Sequence, residues 1–118
     1  MANHPLFSSA NAVIQNTSCD NGACTPITAA LWNNTLTYGF GYRCDSQDQT
    51  ICDQQFSTSN YFKQYPDDSQ NQLPEPVMMG FGGNLEAKAI ITDKVNISGT
   101  QKTGAYYNNI IYLAVPRF

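Results

Sequence analysis

Thr35-Leu36-Thr37-Tyr38-Gly39-Phe40-Gly41-Tyr42-Arg43 is the stretch from which the fold is read. Side chains of an extended chain point alternately to opposite faces, so Leu36, Tyr38, Phe40 and Tyr42 share one face and Thr37, Gly39, Gly41 and Arg43 the other. One face is thick with rings and the other is nearly bare. Glycines inside a strand signal a bulge or the close approach of another backbone. Because this Gly-Phe-Gly-Tyr lies within a strand and opens no helix, it is not a phosphate loop.

The period of two recurs from Leu85 to Ile97, with Leu85, Ala87, Ala89, Ile91, Val95 and Ile97 on one face and Glu86, Lys88, Thr92, Lys94 and Asn96 on the other. Asp93 and Ile90 break the alternation, which predicts a bulge or a change of sheet near the middle. From Tyr106 to Val115 both sides are apolar. Tyr106, Ile110, Tyr112 and Ala114 face one way and Tyr107, Ile111, Leu113 and Val115 the other, as in a strand covered on two sides. Shorter candidates at Ala12–Gln15, Ile27–Leu31, Tyr61–Gln64 and Val77–Met79 bring the total to about six or seven. No window carries the i, i+3, i+4, i+7 pattern of an amphipathic helix between caps. The expectation is an all-β protein, an antiparallel β-sandwich of immunoglobulin-like or pilin-like type. Residues 1–118 form its single domain, 1–15 an extended N-terminal segment, and the polar region Asp45–Pro76 makes long surface connections, where binding function tends to sit.

Composition narrows the function. At 118 residues the chain is long enough for one core and too short for two ordinary domains. Charged residues are 13% of it and hydrophobic ones 42%, which argues against disorder. The net charge of −3 and the lack of a basic run argue against a nucleic-acid partner. The longest apolar stretches, Ile110–Val115 and Val77–Met79, are far below the roughly 18 residues of a membrane span. Met1 to Ala10 has neither a charged start nor an apolar h-region, so no secretory signal is expected in it. Four cysteines in so short a chain point instead to an oxidising compartment. The two observations agree if the sequence is a mature or excised piece, and the expected location is extracellular or at the cell surface.

Cys19, Cys24, Cys44 and Cys52 allow three pairings. Asp20-Asn21-Gly22-Ala23 is turn chemistry, since Asn-Gly supplies positive φ, and it favours Cys19 with Cys24. Asp45–Ile51 is a polar loop that favours Cys44 with Cys52. The crossed alternative, Cys19 with Cys44, would staple two strands across a sheet or sandwich. Zinc is disfavoured because the second pair is spaced too widely for a structural site. A catalytic cysteine would have to reach His4, the single histidine.

Other chemistry fares no better. Asp45, Asp48 and Asp53 are the calcium candidates, yet the Asp-x-Asn-x-Asn-Gly alternation is missing, and Asp67-Asp68-Ser69-Gln70-Asn71 fails at Gln72 and Met78. Glu86 and Asp93 are the strand-borne carboxylates, and parity sets them on opposite faces, against a glycosidase pair. No Gly-x-Ser-x-Gly turn presents a nucleophile. The expectation is no enzyme, no cofactor and no metal. Trp32, Tyr61, Phe62 and Tyr65 are the aromatics that a sugar platform would use, but a lone Trp such as Trp32 is more often a buried centre. Three sequons begin at Asn16, Asn33 and Asn96, about the number that this composition produces by chance.

Gly104-Ala105-Tyr106, followed by Ile110-Ile111-Tyr112-Leu113-Ala114-Val115-Pro116, resembles the end of many bacterial surface β-sandwich domains, including pilin-like spore coat U and fimbrial subunits. The likeness covers Ala87 to Phe118. It implies that Gly104 permits a tight turn while Tyr106 packs inward and bonds its hydroxyl back to the preceding corner. It also implies a structural or adhesive domain on a bacterial surface, as a filament subunit or a module of a larger protein, with no catalytic residues. The alternatives are a phage or virion structural protein and a small carbohydrate-binding module. Ile111, Leu113 and Val115 form the expected assembly face. Their cover would come from Pro5–Ile14, from Asp45–Pro76, or from a neighbouring subunit by self-association. Other surface-protein subunits and a glycan are the remaining candidate partners.

Overall fold

The computed structural model describes residues 1–47, 51–80 and 86–116. Its strands are β1 (Leu6–Ser8), β2 (Val13–Ile14), β3 (Ala30–Leu31), β4 (Gly39–Ser46), β5 (Tyr61–Phe62), β6 (Ala89–Asn96) and β7 (Tyr106–Tyr107). Among the described residues the helical ones form two 3₁₀ turns, Gln54–Ser57 and Asp68–Gln70, and the class is all-β. The strands are distributed over three small sheets, in the orders β2-β1-β7, β3-β5 and β4-β6.

Strand β4 is the axis. It pairs antiparallel with β6 along its whole length, from Gly39 opposite Asn96 to Ser46 opposite Ala89. Its other edge is closed in two places. Phe40 donates to Gln15 O and accepts from Thr17 N, both at 2.9 Å, and Tyr42 exchanges two bonds with Lys63, also at 2.9 Å.

Both faces of β4 are buried. On one, Phe40, Tyr42 and Cys44 pack with Ala2, Ile14, Phe56 and Tyr65, flanked by Tyr106 and Ile110. On the other lies a smaller cluster of Trp32, Phe62 and the two cysteines Cys19 and Cys24. The bare glycine face lets the second cluster in. A Cβ on Gly41 would stand 2.8 Å from Lys63 O and 3.3 Å from the Trp32 ring. One on Gly39, whose φ is +127°, would stand 2.6 Å from Thr17 Cα. Close backbone approach is therefore the reason for these glycines, and β4 is not bulged in its ladder.

Several expected strands are shorter or displaced. Residues 35–38 are not strand, because the Asn34 side chain accepts from Leu36 N and Thr37 N bonds Asn34 O, closing a turn instead. Leu36 and Tyr38 are exposed in consequence. Strand β6 begins at Ala89, and its register runs unbroken past Ile90 and Asp93, with no bulge or change of sheet; Leu85 lies outside the described residues. Of the expected 106–115 strand only Tyr106–Tyr107 is paired, plus a bridge from Ile110 to Ala2. Strand β1, in a stretch too short to show alternation, is an addition. It forms a hairpin with β2 and pairs with β7, so residues 1–15 are built into the domain.

Candidate assembly surface

The C-terminal segment is launched by a corner. Gly104, at φ +145°, turns the chain into β7. The Tyr106 hydroxyl donates back to Lys102 O at 2.8 Å and accepts from Gln101 Nε2 at 2.7 Å, while its half-buried ring packs against the larger cluster. The N-terminus then holds the next residues. Asn3 N donates to Asn109 O, Ile111 N to Met1 O at 2.7 Å, and the Met1 amine to Ile111 O at 2.9 Å.

Beyond Ile111 the support changes. Tyr65 donates to Asp93 Oδ1 at 2.8 Å, and the Tyr112 hydroxyl lies 3.3 Å from that of Tyr65. A phenol has one proton to give, and that of Tyr65 is committed to Asp93, so Tyr112 is the donor. No backbone bond is made by residues 112–116 among the described residues. Their side chains are open to solvent on both sides: Ile111 is 44% exposed, Leu113 67% and Val115 82%, with Tyr112 at 58%. The three residues expected to form an assembly face thus stand in solvent. Neither Pro5–Ile14 nor the described part of Asp45–Pro76 covers them. Arg117 and Phe118 lie outside the described residues.

The disulfides are Cys19–Cys24 and Cys44–Cys52, and no free cysteine remains. The first closes a turn in which Gly22 N bonds Cys19 O and Gly22 has φ +66°. Bridges of this kind belong to an oxidising environment. No helix among the described residues is long and apolar enough to cross a membrane.

The acidic candidates are engaged with the chain's own groups. Arg43 grips Asp45 through two bonds of 2.7 and 2.9 Å, and its hydrogen bonds hold that carboxyl below its usual range. Burial works to raise Asp53, but the Lys63 ammonium at 2.7 Å and the Gln55 backbone N–H outweigh it and hold the carboxyl low. Lys63 itself is 2% exposed and lies over the Phe56 ring, a buried charge that no periodicity reveals. Asp53 borders an open hollow of 420 Å³ beside Cys52, lined also by Gln54 and by apolar residues such as Ile51 and Val77. Asp48 lies outside the described residues. Glu86 is exposed beside Lys88.

The aromatics separate cleanly. Trp32 is fully buried, donates its indole N–H to Thr37 O, and meets Phe62 edge-on at 5.4 Å with Lys94 over its ring at 4.6 Å. Phe62 and Tyr65 are buried too and Tyr61 is half-buried, so a sugar platform built on these four is not presented at the surface. Among the described residues the exposed rings are others: Tyr38, Tyr112, and the cross-strand pair Phe7 and Tyr107, with His4 stacked on Phe7 at 4.5 Å.

A scan of family models and searches of curated proteins and of solved structures each returned no match.

Proposed function

We propose that this chain is a non-enzymatic structural domain of a bacterial surface, a sandwich-like building block that assembles with copies of itself or with other surface subunits. The observation that carries the reading is the segment 112–116, which is apolar in sequence, exposed to solvent and without a backbone partner among the described residues. Unpaired backbone and exposed aliphatic side chains in one stretch form a template for strand pairing, and isolated domains normally guard such stretches with charge. None of residues 111–116 is charged. Two disulfides and the burial of β4 on both faces support a rugged extracellular module, and the resemblance of the closing segment to fimbrial subunits points the same way.

Sedimentation velocity of the intact protein over a hundred-fold range of concentration tests this. Species heavier than one copy that grow with concentration are expected. A single monomer boundary throughout would refute self-association.

A further inference from the structure

We infer that the partner of the C-terminal segment is the open edge of β6 in a second copy, joined head to tail. The inference rests on the self-association reading above and specifies its contact. In the antiparallel β4–β6 pair, Phe40 and Tyr42 direct their backbone groups away from β6, as their bonds to Gln15, Thr17 and Lys63 show. Their opposite numbers on β6, Val95 and Asp93, therefore direct theirs away from β4, and so do Ile91 and Ala89 in the same register. No backbone partner takes these groups among the described residues, since β6 has β4 as its one neighbour.

This edge lacks the usual protection. A long edge strand is ordinarily blunted by outward Lys, by Pro, or by a bulge. Strand β6 is eight residues long, contains no Pro and has an unbroken register. Its two charged residues are tied inward, Lys94 to Trp32 O at 2.7 Å and Asp93 to the Tyr65 hydroxyl. Ile90 and Val95, and Ile97 just beyond the strand, are left exposed.

One chain thus carries two open elements of the same chemistry. Within a single copy they do not meet, because Tyr112 reaches Tyr65 over the face of the β4–β6 sheet and no residue after Ile110 bridges to β6. Pairing the segment of one copy with β6 of the next satisfies both sets of backbone groups at once. Pairing β6 with β6 about a dyad would leave the segment in water. A contact between two different surfaces propagates as an open chain unless its rotation closes a ring.

Complementation tests it. Val95→Pro removes an outward N–H and leaves the bonds of Thr92, Lys94 and Asn96 to β4 in place; Val95→Lys does the same work by charge if the proline variant does not fold. Leu113→Pro/Val115→Pro removes two donors from the segment and spares Tyr112. Folding is checked by Trp32 fluorescence and by the disulfide map. Each folded variant alone is expected to sediment as a monomer, and an equimolar mixture as a one-to-one heterodimer. If the segment variant still dimerises, β6 pairs with itself and the head-to-tail contact is overturned. It is overturned as well by a mixture that stays monomeric, or by both variants assembling like the intact chain while self-association stands. An intact chain that is monomeric at every concentration removes both readings together.

Discussion

Gly41 lies against Lys63 so closely that a single added carbon would sit 2.8 Å from the Lys63 carbonyl oxygen, inside the distance that real Cβ contacts keep. That contact sets the spacing between β4 and the chain at residues 61–63, and so the position of the Trp32 cluster on the glycine face. Gly41→Ala is expected to destabilise the domain by about 1–3 kcal/mol through overpacking against a backbone that cannot rotate away. Urea melts followed by Trp32 fluorescence measure it. A midpoint equal to that of wild type would mean that the two segments can separate freely.

The two central phenols of the core, Tyr42 and Tyr65, stack at 4.3 Å but differ in what their hydroxyls meet. That of Tyr65 is bonded to Asp93 and Tyr112, whereas that of Tyr42 is buried with no partner among the described residues. An unpaired buried hydroxyl costs about 1–3 kcal/mol of desolvation, so Tyr42→Phe is expected to match or exceed wild-type stability. Tyr65→Phe is expected to lose about 1–2 kcal/mol, as a charged acceptor is left behind. Parallel urea melts of the two variants compare them, and a loss in Tyr42→Phe equal to that in Tyr65→Phe would reveal a bond that the geometry lacks.

Alkali should unfold the protein through the same pair. Burial, helped by Asp53, Tyr112 and Glu75, pushes the Tyr42 phenol up; burial and the bonds with Tyr112 and Asp93 push up that of Tyr65. In the unfolded chain both ionise near pH 10. Above that pH the unfolded state has released protons that the folded state still holds, so stability is fully present below about pH 10 and falls as the pH rises. The slope is roughly 1.4 kcal/mol per pH unit for each phenol. Phenolate absorbance should show two tyrosines ionising only with the loss of near-ultraviolet circular dichroism. Seven tyrosines titrating together in the folded protein would contradict the burial.

The parts of this fold that were readable from the sequence are those set by local rules. Alternation placed Phe40 and Tyr42 on a common buried face, and Asn21-Gly22 closed the turn that joins Cys19 to Cys24. The parts that were not readable depend on partners distant in the chain. Strand β4 starts at Gly39 rather than at Thr35 because Asn34 captures the backbone donors of Leu36, with its side chain, and of Thr37, with its carbonyl. Strand β1 exists because β2 and β7 flank it, and Lys63 is buried because Asp53 and Phe56 wait for it; neither leaves a periodic trace. The segment after Ile111 has the composition of a strand but no backbone neighbour among the described residues of its own copy. A strand is completed by its partner, and the alternation of Ile111, Leu113 and Val115 records that need without saying who meets it.

Hydrogen exchange of the backbone amides, read in dilute and in concentrated protein, tests the assembly account most directly. The amides of Ile91, Asp93 and Val95, and those of Leu113 and Val115, are expected to exchange quickly in the dilute monomer. All five should slow together as concentration rises, while Phe40 and Tyr42 stay protected throughout. Edge amides that exchange at the same rate in both samples would contradict the claim that β6 and the C-terminal segment are the surfaces through which this protein assembles.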